Sequence, residues 1–259
     1  MSHTALRIER DDAIAHVILT GPGKGNAMGP RTWTDLPAAF DELESDASVR
    51  AVVVSGSGEH FSYGLDVRAS LADFDVATDG GANARSGLLA HIETLQRAFT
   101  RVANSPLPVI AAISGWCIGA GVELACACDV RYAQVGAKFS LREVQLAIVA
   151  DLGGLQRLPG IVGEGHAREL ALTGMNIDAE RAERIGLVNA VVPEVLAHAF
   201  EVARGIAAHS PLTLRGIKAN MNAQQGKTIA EGLRDVALWN AAFLQSADFR
   251  AALDAFAQR

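Results

Sequence analysis

Apolar residues along this chain fall into short unbroken runs and into stripes of helical spacing, and the two alternate. Ala13–Leu19 is a run suited to a strand, closed by the turn-forming Gly21-Pro22-Gly23. From Thr32 to Glu44 the apolar positions Trp33, Leu36, Phe40 and Leu43 share one face of a helix. Val49–Ser55 predicts a buried strand, and Gly56-Ser57-Gly58 then loops to Phe61-Ser62-Tyr63-Gly64. Asp73–Gly87 has little periodicity and predicts a surface loop or lid. A helix resumes over Leu88–Ala103 and stops at Pro106 and Pro108, before the strand Val109–Ile113.

Gly115–Gly121 predicts a turn into a helix carrying Glu123, followed by strand-like segments at Val130–Ala133 and Lys138–Ser140 and an acidic, Gly-containing stretch through Pro159. From Glu164 helical patterns dominate to Arg259, broken near Gly186-Leu187-Val188, Pro193 and Pro211. The expectation is α/β: strand, strand, helix turns stacked on one another over residues 1–200, then a helical region over 201–259. No repeat of fixed length accompanies the alternation.

Composition narrows the function. The 259 residues are 49% hydrophobic and carry a formal charge of −6, which opposes a surface built for nucleic acid. The most apolar stretch, Pro108–Ala127, is interrupted by three glycines and Glu123, so a membrane span is not expected. Cys117, Cys126 and Cys128 are an odd count in an apolar stretch, and Cys126 and Cys128 have no second ligand pair. Disulfides and zinc are therefore not expected, and a cytoplasmic location is.

Two Gly-rich turns can direct free backbone amides at one oxygen: Phe61–Asp66 and Gly115–Glu123, the second opening a helix at its positive end. An enolate oxygen suits such donors. Glu123, three positions after Ala120, shares a helix face with that amide, though a first-turn Glu is also favoured by the helix dipole alone. Glu143 and Asp151 complete an acidic set; the alternatives are an ion pair to Arg142 or Arg131 for Glu143, and a helix N-cap for Asp151.

These segments in this order resemble the crotonase, or enoyl-CoA hydratase/isomerase, superfamily: Lys24–Met28, Phe61–Asp66, Pro108–Gly115, Cys128-Asp129 and Gly153–Leu158 carry the likeness, which covers nearly the whole chain. The resemblance implies a spiral of ββα units with a C-terminal trimerisation region, assembled as a homotrimer or homohexamer. It implies an acyl-CoA thioester substrate, with CoA part of the substrate and no other cofactor or metal. The amides of Leu65 and Ala120 would form the oxyanion hole. Ala120 replaces the glycine of many members but leaves the backbone donor intact. Lys24, Ala27, Ser62, Tyr63, Gly64, Asp66 and Gly119 match positions lining the CoA and substrate site, and Arg259 would reach a CoA phosphate of a neighbouring subunit.

Glu123 and Glu143 match the two glutamates with which hydratases add water to a 2-enoyl-CoA. Asp151 stands where hydratases usually have Gly and where Δ3,5-Δ2,4-dienoyl-CoA isomerases have a catalytic Asp, although those isomerases carry Asp at the position of Glu123. The resemblance thus favours moving the double bonds of a 3,5-dienoyl-CoA to the 2,4 positions, with hydration second.

Overall fold

The computed structural model describes residues 3–21, 24–70 and 81–258. Its main sheet has six strands: β1 (Leu6–Asp11), β2 (Ile14–Leu19), β3 (Ala51–Gly56), β4 (Val109–Ile113), β6 (Val130–Gln134) and β9 (Ala190–Val192), adjacent in that order. β1 and β2 form an antiparallel hairpin, and every later pairing is parallel. A second sheet holds β5 (Trp116–Ile118), β7 (Lys138–Ser140) and β8 (Ile177–Asp178). β4 runs straight on into β5 and β6 into β7, so each of these turns of chain gives one strand to each sheet. That is the expected ββα spiral.

The core explains the unbroken apolar runs. Val52 and Val54 of β3 and Ala111 of β4 face one cluster, shared with Leu36 and Phe40 of α1 (Thr32–Ser45) and Phe99 of α2 (Gly81–Ala103). Ala51 and Val53, with Ile110 and Ala112, face a second cluster under Val195, Ala199 and Ala203. Both faces of these strands are covered, so alternation disappears, as in other parallel sheets.

Several expected boundaries shift. α2 starts at Gly81, where a helix was expected only from Leu88. Residues 81–87 are therefore two helical turns; residues 73–80 of the expected loop, and Arg259, lie outside the described residues. α3 is Ala120–Ala127, α4 is Gly154–Val162, α5 is Glu164–Thr173 and α6 is Ala179–Arg184. α7 (Val195–Ala207) spans the boundary drawn at residue 200 and packs on the main sheet, so the body extends past it. β8 and β9 interrupt the region expected to be helical, and β5 occupies part of the expected turn. α8 (Pro211–Ala223), α9 (Ile229–Phe243) and α10 (Ala247–Ala257) follow. Pro211 opens α8 at its first turn, where a missing amide hydrogen costs nothing. Buried Lys218 ties α8 to the body through Asp129 (2.7 Å) and the Leu107 carbonyl (2.9 Å).

Candidate active site

The second sheet brings the two Gly-rich turns together. Ser62 bridges to Cys117 of β5, and Leu65 to Met28. The Ser62 amide and carbonyl bond the Trp116 carbonyl and the Ile118 amide, at 3.0 and 2.9 Å. A β-carbon on Gly64 would stand 2.6 Å from the Ile118 carbonyl and 3.2 Å from the Ala120 nitrogen, so only glycine allows this approach. Around the junction the backbone is paired: the Met28 amide donates to Gly64, Asp66 to Met28, and Gly119 to Ser140. Among the described residues, the Leu65 and Ala120 amides donate no hydrogen bond. Both line a cavity of about 810 Å³. Two free donors at one wall of such a cavity, one opening α3, suit a developing oxyanion.

Glu123, Glu143 and Asp151 line the same cavity. Glu123 is 1% exposed, and its Oε1 accepts the amides of Leu152 (3.0 Å) and Gly154 (2.8 Å). Burial is the main force raising its pKa to about 7; the neighbouring Glu143 and Asp151 charges add to the rise and the two amide bonds oppose it. Glu143 begins a 3₁₀ turn, Glu143–Leu146, after β7. Its Oε2 is buried without a hydrogen-bond partner. Burial raises its pKa, and the Asp151 charge raises it further. Burial also raises that of Asp151.

The alternative roles for these acids fall away. Arg131 spends its guanidinium on the carbonyls of Leu187, Cys128 and Ala125, and Arg142 bonds Asn176, so neither pairs with Glu143. The N-cap of α4 is Gly153, with no side-chain cap, so Asp151 does not cap it.

The residues expected around the CoA divide. Tyr63, Gly64 and Gly119 line the cavity. Tyr63 stacks on His60, with ring centroids 4.9 Å apart, and covers Gly25. Ser62 is corrected to a loop-holding role: fully buried, it donates to the Asn26 carbonyl (2.9 Å) and accepts the Gly64 amide (3.0 Å). Asp66 accepts the Ala69 amide and ends the same turn. Ala27 is buried and Lys24 is exposed, and neither borders the cavity. Trp116 does, with Lys138 and Arg142 over its ring at 5.3 and 5.2 Å. α2 supplies an apolar wall through Leu88, Ile92 and Leu95.

Two consequences are measurable. Gly119 has φ 52° and ψ −120°, and a β-carbon there would stand 2.8 Å from Glu143 Oε1. Gly119→Ala is expected to lose roughly 1–3 kcal/mol in urea unfolding, and to lower turnover by displacing Glu143. The second concerns Glu123. Its folded pKa of about 7 exceeds the ordinary 4.5, so the stability it contributes is full below about pH 4.5 and is lost as pH rises through 7. Glu123→Gln keeps an oxygen for both amides but cannot ionise. Calorimetric melting from about pH 5 to about pH 8 should therefore fall more steeply for the native protein than for this variant; parallel curves would refute the assignment.

Comparison with known proteins agrees with this fold. Residues 9–259 match the family model described as enoyl-CoA hydratase/isomerase. The mitochondrial Delta(3,5)-Delta(2,4)-dienoyl-CoA isomerase of Dictyostelium discoideum is 39% identical over 98% of this chain and 89% of its own. The peroxisomal enzyme of the same name from Arabidopsis thaliana is 38% identical over 96% and 92%. A crystal structure of enoyl-CoA hydratase from Bacillus anthracis superposes with a TM-score of 0.88 at 28% identity, covering 98% of this chain and 96% of that one. The chain belongs to the enoyl-CoA hydratase/isomerase family.

Proposed function

We propose that the protein isomerises a 3,5-dienoyl-CoA to the 2,4-dienoyl-CoA. The observation that carries this is Asp151 in the wall of the cavity, close enough to Glu143 for its charge to be felt there. The names of the two curated relatives point the same way. In this reading the Glu143 carboxylate takes a proton from the α carbon, C2, and the electrons of that C–H bond enter a dienolate. The thioester oxygen, now negative, is held by the Leu65 and Ala120 amides. Protonated Asp151 returns a proton at C6, and solvent exchange resets the two acids. Burial favours the protonated acid that this needs at Asp151 and strengthens Glu143 as a base. CoA belongs to the substrate, and no resident cofactor or metal enters.

Mixing the protein with a 3,5-dienoyl-CoA should raise the absorbance of the conjugated 2,4-dienoyl thioester; no rise sinks the reading. Hydration of a 2-enoyl-CoA is the second reading, because Glu123 and Glu143 border one cavity. It predicts loss of enoyl absorbance and indifference to Asp151→Asn.

Assembly as a homotrimer or homohexamer through α8–α10 is part of this proposal. Ile229 (79%), Met221 (72%) and Phe256 (78%) are largely exposed there, an apolar surface that a single chain leaves wet. The three cysteines are free, which fits a reducing compartment. Among the described residues, no helix is long and apolar enough to cross a membrane. The names of the two curated relatives place those proteins in mitochondria and peroxisomes.

A further inference from the structure

Asp151 sits on a turn whose backbone is held from three directions, by side chains that no motif connects. From α3, Glu123 Oε1 accepts the amides of Leu152 and Gly154. From α2, Gln96 Nε2 donates to the carbonyl of Asp151 itself, at 2.7 Å. From α4, Arg157 Nη1 donates to the Leu152 carbonyl at 3.3 Å, while its Nη2 reaches Thr100 Oγ1 of α2 at 3.2 Å. Gly153, at φ 104°, makes room: a β-carbon there would stand 1.9 Å from Arg157 Nη1. Neither Gln96 nor Arg157 borders the cavity.

We propose that Gln96 and Arg157 are positioning residues that, with Glu123, clamp the 151–154 turn and so fix where the Asp151 carboxyl lies along the acyl chain. Gln96 stands one turn beyond Ile92, which lines the apolar wall, so the helix that borders the cavity is the one that holds the Asp151 carbonyl. A carboxyl that must meet a carbon far from the thioester is sensitive to such placement, since an ångström of error costs about 10²-fold in rate. Substrate binding, set mainly by the Gly-rich turns and the cavity, is not routed through the clamp.

The inference rests on the isomerase reading only for its kinetic arm. Gln96→Leu, which keeps the bulk but removes the donor, should lower kcat on a 3,5-dienoyl-CoA about tenfold with KM within about twofold. Arg157→Lys should do the same more weakly, because a single ammonium cannot span the Leu152 carbonyl and Thr100. The second arm needs no turnover. In carbon-13 carboxyl NMR of the free protein, assigned with Asp151→Asn, the Asp151 titration midpoint should move in both variants while melting stays cooperative. Unchanged kcat with a superimposable Asp151 titration in either folded variant overturns the clamp. If the native protein turns over no dienoyl thioester, the isomerase reading falls and the NMR comparison alone decides the clamp. Should Gln96→Leu not fold, Arg157→Lys decides by the same two measurements.

Discussion

Asp151→Asn is expected to lower the rate of 2,4-dienoyl-CoA formation by about 10²–10⁴-fold, with KM for the thioester little changed. The substitution is nearly isosteric, and the contacts that hold the turn run through the backbone and survive it: Gln96 to the Asp151 carbonyl, and Glu123 to the Leu152 and Gly154 amides. What is lost is the proton. An amide cannot deliver one to C6, and no other acid enters the cavity wall on that segment. Because the oxyanion donors and Glu143 remain, the dienolate should still form. The variant incubated in deuterium oxide should therefore exchange the C2 protons of the 3,5-dienoyl-CoA without releasing product. Full isomerase activity in Asp151→Asn would remove Asp151 from the chemistry, and unimpaired hydration of a 2-enoyl-CoA by the same variant would identify the other reaction.

The acids and both Gly-rich turns were legible in the sequence because each is a local pattern: glycines where backbone approaches backbone, carboxyls inside apolar runs. β3 and β4 were legible for the same reason, since strands covered on both faces have few polar positions. β1 was not, because it is an edge strand whose Arg7, Glu9 and Arg10 stay in or near solvent. β5 is three residues long and leads straight into Gly119, so its turn chemistry hides its pairing. The first turns of α2 were missed because Ala82–Ser86 carry no apolar stripe, their side chains being exposed or half-buried.

The site lost most where function runs through the backbone. Ser62 lies in a motif expected to line the substrate site, yet it is fully buried and does not border the cavity, and nothing in its spacing distinguishes a loop-holding hydroxyl from a contacting one. Gln96 carries no motif, and Arg157 lies in the Gly153–Leu158 segment without its spacing showing what it bonds, since a side chain that bonds a carbonyl places no demand on the identity of the residue it holds. Glu123 shows the reverse: its helix position suits either a catalytic carboxyl or one favoured by the helix dipole alone, and the fold engages one oxygen with the turn that bears Asp151.

Glu143→Gln should be as damaging as Asp151→Asn, by about 10²–10⁴-fold, but should stop the reaction one step earlier. Glu143 Oε2 is buried and unpartnered, a costly state for a carboxylate in a folded protein and one that a substrate C–H could relieve by giving it a proton. Gly119, the residue before Ala120, leaves just enough room for this carboxyl, and Glu143 and Ala120 line the same cavity, as the proposed base and oxyanion donor require. Glutamine fills the space without basicity, so C2 exchange in deuterium oxide should vanish along with product, whereas Asp151→Asn preserves it. The double variant should be little worse than Glu143→Gln alone, because the acid has no dienolate to protonate once the base is gone. Additive losses in that cycle, or persistent C2 exchange in Glu143→Gln, would reassign the base to Glu123, whose second oxygen is not held by the Leu152 and Gly154 amides.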